Sequence, residues 1–219
     1  GSGPLVQKTV ARESIHIPSV ETKVIPHAKG DIMMITVNQF GDDTVDGVRT
    51  ALENITPKTT GIILDLRFNG GGYLEGAVDI VSMFLESGKV VTVERRNTPP
   101  ESHLVSGHPL EPVRPLVVLV NGGSASASEI TAGALQDYER ATIIGTQTFG
   151  KGTVQEVLEL PGGSNLRLTV ARWLTPDGHD LGKKGVTPNI IIDRTVEQMK
   201  DGIDPQLDAA INVLTDKKK

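Results

Sequence analysis

Apolar and polar positions follow two different periods along this chain, and their order predicts strands separated by helices. Short runs rich in Val, Ile and Leu predict strands at 31–40, 61–66, 89–96, 116–120 and 141–145. The runs at 61–66 and 116–120 are apolar throughout, which is typical of strands buried on both faces. Apolar residues at helical spacing predict helices at 42–56, 74–85, 124–138 and 205–215.

The remaining segments predict extended chain, a loop and a hairpin. Residues 5–25 alternate loosely and are expected to be extended, whereas 97–112 are rich in Pro, His, Ser and Gly and predict an exposed loop. Residues 153–160 and 165–172 alternate on either side of a Pro-Gly-Gly-Ser turn, which predicts a hairpin. The alternation of strand and helix predicts βα units, whose functional residues lie in turns at the carboxyl ends of strands.

A glycine-rich turn and a serine-rich helix start follow the second fully apolar strand, in the sequence NGGSASASEI at 121–130. A serine at a helix N-terminus lies beside free N–H groups and the positive end of the helix dipole, which suits a nucleophile and an oxyanion. A plain Ser N-cap, with Glu129 as a first-turn charge, accounts for the same residues. The spacing does not decide between Ser124, Ser126 and Ser128.

A lysine between two glycines follows the strand at 141–145, in TFGKGTVQ at 148–155. A neutral lysine amine can activate a serine, but burial must first lower its pKa from the reference value of about 10.4. Gln155 is an uncharged hydrogen-bond partner for Lys151. Because four residues of ideal strand span roughly 13 Å, that contact requires a bend at Gly152. The alternative is an ordinary surface lysine in a turn.

A third turn, DLRFNGGG at 65–72, ends the strand at 61–66 in three glycines. Backbone N–H groups in such a turn can point at an oxyanion. Phosphate binding of the P-loop kind is excluded, because neither G-x-x-x-x-G-K-[ST] nor G-x-G-x-x-G occurs here. Asp65 and Arg67 share one side of the strand end, and we expect them to form a structural ion pair.

Composition narrows the classes of function. The chain has 219 residues and no cysteine, which excludes disulfides, Cys-ligated zinc and a cysteine nucleophile. Its net charge of −5 argues against nucleic-acid binding, and no apolar run approaches the ~20 residues of a membrane span. None of the five histidines lies in a metal-binding pattern, so we expect no metal and no cofactor.

Sequence order alone does not exclude a Ser-His-Asp triad. We expect Phe149 and Trp173 to pack in the core, with pocket lining as the alternative.

Together the three turns resemble the carboxyl-terminal processing, or tail-specific, proteases of peptidase family S41. The resemblance extends from Leu5 to Leu214. It rests on SASASEI at 124–130, FGKGTVQ at 149–155, DLR at 65–67 with the following Asn and Gly-Gly, TPDG at 175–178 and GVTP at 185–188. Phe68 and Gly70 stand where other residues are common in the family, which we expect to affect only loop detail.

The resemblance implies a serine endopeptidase that works through an acyl-enzyme. It implies Ser126 as the nucleophile, Lys151 as the general base and Gln155 as the residue that orients the lysine. It also implies an oxyanion hole made of backbone N–H groups, from Ala127 and from Gly71 or Gly72. The implied fold is α/β (α+β), a ClpP/crotonase-like β-β-α superhelix with a small β-rich subdomain built from the chain ends.

The resemblance further implies how the chain is divided. We expect a linker or strand segment at 1–25, a protease core at 26–196, and a C-terminal helix and tail at 197–219. The family usually carries a PDZ domain in the same chain. Residues 9–13 resemble the last strand of that domain or the linker after it, and we expect the domain itself to be absent from this sequence.

Location and partners are also expectations from the resemblance. We expect an extracytoplasmic location, in a bacterial periplasm or cell envelope, with the signal segment absent. The expected partners are proteins with extended, non-polar C-termini, and the oligomeric state stays open, a homo-oligomer included. Two rival functions remain: a non-catalytic peptide- or ligand-binding module of the same fold, similar to vertebrate retinoid-binding repeats, and acyl-CoA chemistry of the crotonase type.

Overall fold

The computed structural model describes residues 18–216, in which strands and helices alternate as expected. The strands are β1 Val20–Ile25, β2 Asp31–Val37, β3 Thr59–Asp65, β4 Lys89–Arg95, β5 Glu101–Leu104, β6 Leu116–Val120, β7 Thr142–Gly145, β8 Thr153–Glu159, β9 Asn165–Leu174 and β10 Ile190–Ile191. The helices are α1 Thr44–Glu53, α2 Leu74–Ser82, α3 Ala127–Asp137, α4 Leu181–Lys184, α5 Val196–Lys200 and α6 Pro205–Thr215.

A six-stranded sheet, in the order β1-β2-β3-β6-β7-β10, forms the centre of the fold. Strands β2, β3, β6, β7 and β10 run parallel to one another, and β1 pairs antiparallel with β2. The carboxyl ends of the parallel strands therefore meet at one edge of the sheet. The turns after β3, β6 and β7, which carry all three motifs, lie along this edge.

Helices cover both faces of the sheet, so the central strands are buried on both sides. Ile62 and Leu64 of β3 belong to the larger apolar cluster, which includes buried residues of α1, α2 and α3. Ile63, between them, belongs to a second cluster on the opposite face with Ala210 of α6. Successive side chains of a strand point to opposite faces, which explains why β3 and β6 are apolar throughout.

The fold class is confirmed, but the small β-rich part has a different origin from the one expected. A second sheet, in the order β5-β4-β9-β8, is built from internal segments and not from the chain ends. The end strands β1 and β10 instead find partners on the two edges of the large sheet. The second sheet includes β5, inside the segment predicted as a loop, because its backbone pairs with β4 despite polar side chains.

Some expectations concern parts that the structure does not describe. The resemblance of residues 9–13 to the end of a PDZ domain lies outside the described residues, and the division at 25/26 and 196/197 stays a prediction. Among the helices of residues 18–216, none combines the length and the apolar character needed to cross a bilayer.

Candidate active site

Backbone hydrogen bonds hold the three glycine-containing turns against one another. The Ser124 hydroxyl donates to the carbonyl oxygen of Leu66 at 2.8 Å, and the Ala125 N–H donates to that of Asn69 at 3.0 Å. The Phe149 N–H donates to the carbonyl oxygen of Ser124, also at 3.0 Å. The turn before α3 is therefore bound on one side by the turn after β3 and on the other by the lysine loop.

Ser126 is distinct from the two serines that flank it. It is the N-cap of α3 and has φ 58° and ψ −118°, a left-handed φ that a non-glycine residue rarely adopts. The hydroxyls of Ser124 and Ser128 are fully buried and donate to backbone carbonyls of Leu66 and Asn69. The Ser126 hydroxyl donates to no acceptor within residues 18–216, and the residue is 7% exposed. Strained residues of this kind cluster at functional sites.

Gly71 allows the turn after β3 to approach Ser126, and Gly72 allows the same turn to approach Phe40. Gly71 has φ +98°, and a Cβ there would lie 2.6 Å from the Cβ of Ser126 and 3.0 Å from the backbone nitrogen of Ala127. Gly72 has φ +148°, and a Cβ there would lie 2.1 Å from the carbonyl oxygen of Phe40. Only glycine fits at either position without moving the backbone.

The backbone N–H groups around Ser126 differ in whether they are already engaged. The Gly71 N–H donates to Asn69 Oδ1 at 2.8 Å. The amide N–H groups of Gly72 and Ala127 have no protein acceptor among the described residues. Ala127 is the first residue of α3, where an N–H group has no partner inside the helix. Gly72 and Ala127 are thus the two predicted oxyanion donors that remain free to bind an anion.

Glu129, which we expected to be a first-turn charge, connects the serine helix to the lysine loop. Its carboxylate is fully buried. Oε2 accepts from the N–H groups of Ser126 and Lys151, both at 2.9 Å. Oε1 accepts from the Thr148 hydroxyl at 2.6 Å and from the Gly150 N–H at 2.7 Å. One side chain therefore fixes the backbone of both predicted catalytic residues.

Gly185 is part of the same arrangement. A Cβ there would lie 2.7 Å from Glu129 Oε1 and 2.4 Å from Thr148 Oγ1. The sequence signal for Glu129 was present, since Ser-x-x-Glu is a capping pattern. It gave no indication that the carboxylate also binds the loop at 148–151, because that contact depends on how β6 and β7 are paired.

The side chains of Lys151 and Gln155 lie at the surface. Both residues are exposed, and no hydrogen bond joins either one to the Ser126 hydroxyl or to each other in the part of the chain that the structure describes. The pairing of β8 with β9 is irregular between Val154 and Gln155. The structure thus anchors the backbone of Lys151 beside Ser126 and leaves its side chain in solvent.

The expected ion pair of Asp65 and Arg67 is confirmed, and it extends to the C-terminal helix. Arg67 Nη2 lies 2.7 Å from Asp65 Oδ2, and Arg67 Nη1 lies 2.9 Å from Asp204 Oδ2 at the start of α6. Gln206 Oε1 accepts a further hydrogen bond from Nη1. Burial by itself lowers the pKa of Arg67, but hydrogen bonds and charge from Asp65 and Asp204 outweigh it and raise that pKa. The network ties α6 to the turn that carries Gly71.

The surroundings of the site are open and contain two of the chain's few aromatic residues. A groove of about 970 Å³ begins beside the serine and is lined by 38–43 and 71–73. Phe149 is 68% exposed, so the expectation that it packs in the core is wrong, whereas Trp173 packs against the core. Within residues 18–216, no three His, Asp or Glu side chains are grouped so that they could hold a metal ion.

Several known proteins are similar to this chain in sequence and structure. The profile of "Peptidase family S41" matches residues 31–192. A carboxy-terminal-processing protease of Bartonella bacilliformis is 40% identical over 205 residues, which is 90% of this chain and 46% of that protein. A probable CtpA-like serine protease of Staphylococcus aureus is 41% identical over 187 residues, covering 84% of this chain and 37% of that protein.

The solved structure of a photosystem II D1 C-terminal processing protease superposes with a TM-score of 0.76 at 31% identity. The match covers 94% of this chain and 54% of that one. This chain therefore spans about half the length, or less, of the relatives that it matches. Since the family profile covers most of the chain, and the matched segment contains all three turns, the chain belongs to peptidase family S41.

Proposed function

We propose that this chain carries the catalytic centre of a serine endopeptidase, with Ser126 as the nucleophile. One observation carries the proposal. Of the three serines at the start of α3, Ser126 is the one whose hydroxyl proton is not donated to a backbone carbonyl. It directly precedes the unengaged amide of Ala127 and lies against Gly71, whose neighbour Gly72 carries the second unengaged amide. A nucleophile beside free N–H donors is the arrangement that acyl transfer requires.

The proposed reaction proceeds in two stages. Ser126 Oγ attacks the carbonyl carbon of the peptide, and the neutral amine of Lys151 accepts the hydroxyl proton. The N–H groups of Gly72 and Ala127 bind the resulting oxyanion, while Gly71 permits the close approach. The C–N bond then breaks, the leaving amine takes the proton from Lys151, and an acyl-enzyme remains. Water, deprotonated by Lys151, hydrolyses the ester and regenerates Ser126.

Lys151 needs a less aqueous environment than its exposed position provides. A lysine acts as a base when burial disfavours its ammonium form. We infer that a bound peptide covers the lysine loop and supplies this burial, with Gln155 as the uncharged group that orients the amine. Free enzymes often have loose catalytic geometry that tightens only in the complex with substrate.

The relatives' names indicate which bond is cleaved. They process proteins at the carboxyl terminus, and we propose that this chain acts on extended, non-polar C-terminal segments. The groove of about 970 Å³ beside Gly72 offers space for part of such a segment. An extracytoplasmic location and cooperation with a PDZ domain are further parts of this proposal.

The test compares the three serines directly. Cleavage of unfolded casein is measured for Ser126→Ala, with Ser124→Ala and Ser128→Ala as matched controls. We expect Ser126→Ala to abolish cleavage, and the two controls to retain activity in proportion to their folded fraction. Labelling with a fluorophosphonate should give an adduct on Ser126. Cleavage that survives in Ser126→Ala overturns the assignment, and a protein that binds peptides without forming an adduct is a binding module instead.

A further inference from the structure

Phe68 has a backbone conformation that is unfavourable for its residue type. Its φ is 62°, in the left-handed region where a bulky side chain is an outlier and Gly or Asn is favoured. Packing of the side chain does not offset this strain, because the residue is 66% exposed. The chain has only four phenylalanines, so a solvent-exposed one on a strained turn requires a reason.

The hydrogen bond that holds this turn does not involve the aromatic ring. The Phe68 N–H donates to Asn121 Oδ1 at 2.9 Å, and a Cβ on Gly123 would lie 2.8 Å from the Cα of Phe68 and 3.4 Å from its ring carbon Cδ1. An asparagine at the same position would make the hydrogen bond equally well with less strain. The turn therefore needs the backbone of residue 68, while the ring lies near Gly123 and is otherwise exposed to solvent.

The ring does form one wall of a small open pocket of about 230 Å³. Met199 of α5, which is 40% exposed, is another apolar residue that lines the pocket, and Gly122 and Gly123 contribute backbone. Ligand sites for whole small molecules usually enclose about 300–1,000 Å³, so this pocket has the size for a single side chain.

The charges around the pocket do not favour an anionic ligand. Arg67 and Arg194 both lie in its lining, but both are paired with Asp204, and Arg67 also with Asp65. Asp193 lines the pocket as well, so the two guanidinium groups are accompanied by three carboxylates. An anion such as a peptide carboxylate would have to compete with bonds that these arginines already make, whereas an apolar side chain would only displace water from Phe68 and Met199.

The pocket lies within reach of the serine. Gly123 precedes Ser126 by three residues, a separation of at most roughly 11 Å even for fully extended chain. An extended peptide advances about 3.3 Å per residue, so a side chain in the pocket belongs to a residue within about three positions of the bond attacked by Ser126.

We propose that Phe68 and Met199 form a specificity subsite that binds one apolar side chain of the substrate. This inference rests on the proposed function, because it assumes that a peptide passes Ser126. The strain at Phe68 is then the cost of presenting an aromatic ring to the substrate. Phe68 acts in binding and is not a catalytic residue.

The experiment measures peptide binding, so that it does not depend on turnover. Fluorescent decapeptides of Ala and Ser, each with one Leu at a different position, are titrated against the full chain carrying Ser126→Ala. One Leu position should bind about tenfold tighter than the all-Ala/Ser peptide. Adding Phe68→Asn, or separately Met199→Ser, should reduce that preference, measured against the all-Ala/Ser peptide on the same variant, to less than threefold.

A stability measurement separates a subsite from a structural role. Phe68→Asn relieves left-handed strain, so its Tm should equal that of the parent or exceed it by about 2–4 °C. Glu139→Asn is the matched control, since Glu139 also has a left-handed φ, of 51°, but lies after α3, away from the pocket. It should show the same stability trend with no change in peptide preference.

The outcomes distinguish this inference from the proposed function. Absence of any preferred Leu position, or a preference that survives Phe68→Asn, overturns the subsite. A fall in the Tm of Phe68→Asn by several degrees also overturns it, because the ring would then be structural. Failure of the proposed function would be seen in a different experiment, as casein cleavage that persists in Ser126→Ala. That result would not affect the comparison of peptide affinities.

Discussion

Replacing Glu129 by glutamine tests whether one buried carboxylate holds the site together. The carboxylate accepts four hydrogen bonds, two on each oxygen, and all four donors lie at the two predicted catalytic segments. Glutamine has nearly the same shape but presents an NH₂ group in place of one oxygen. Whichever way the amide is oriented, two donors then face another donor.

The magnitude follows from the two hydrogen bonds that the substitution breaks. A hydrogen bond to a charged group contributes about 1.5–3 kcal/mol, so breaking two predicts a destabilisation of about 3–5 kcal/mol after some local relaxation. For a domain of this size, 1 kcal/mol lowers Tm by about 2–4 °C, which gives a fall of about 6–20 °C. If the backbone of Lys151 shifts by about 1 Å, kcat/KM should fall by about 10²-fold in the molecules that remain folded.

The assay is thermal unfolding followed by casein cleavage well below the new Tm. Glu75→Gln is the matched control, because Glu75 also lies in the first turn of a helix but is exposed. Its Tm should change by no more than about 2 °C. If Glu129→Gln were as stable as Glu75→Gln and equally active, the four hydrogen bonds would not be what fixes the lysine loop.

Two further substitutions probe the same supports. Gly185→Ala should lower Tm by several degrees more than Gly202→Ala and should also reduce cleavage. Both glycines have a left-handed φ, but only Gly185 lies against Glu129 and Thr148. Equal effects of the two substitutions on Tm would contradict this. Arg67→Lys should cost about 3 kcal/mol, or about 6–12 °C in Tm, because lysine cannot reproduce the fork that binds Asp65 and Asp204. The exposed pair of Arg172 and Glu94 supplies the control, since Arg172→Lys should shift Tm by less than about 2 °C.

The sequence was most informative where local pattern and tertiary packing agree. The run at 116–120 is observed as β6 with the same ends, and 205–215 is observed as α6. In both elements burial determines which positions are apolar, so the apolar pattern is enough to predict where the element begins and ends. The parallel order of the strands was also predictable, and it placed the three motif turns on one edge.

The missed elements are either very short or dependent on partners distant in sequence. Strand β5 is polar and exists because β4 offers an edge. Helices α4 and α5 are only four and five residues long and begin with capping side chains, Asp180 and Thr195. Phe149 was expected in the core because it is aromatic. Its backbone N–H is instead hydrogen-bonded to Ser124, and its ring is exposed to solvent.

The same limit applies to the site. Spacing alone left three serines as equal candidates for the nucleophile. The hydroxyls of Ser124 and Ser128 donate hydrogen bonds to backbone carbonyls, which gives these two serines a structural role. Those bonds connect residues 58 and 59 positions apart, which no local pattern can indicate. Glu129 was underestimated for the same reason, since its partners at 148–151 come from a different turn.

The site thus separates two requirements that a Ser–Lys mechanism must meet. The first is a fixed backbone, which the chain meets internally through Glu129, Asn69 and the glycines at 71 and 72. The second is a base held away from water, whereas the side chain of Lys151 is exposed among the described residues. Because a lysine side chain is long and flexible, it can move while its backbone stays anchored, and in the proposed mechanism a covering peptide positions the amine last. We propose that this order confines base catalysis to the moment when a substrate is bound.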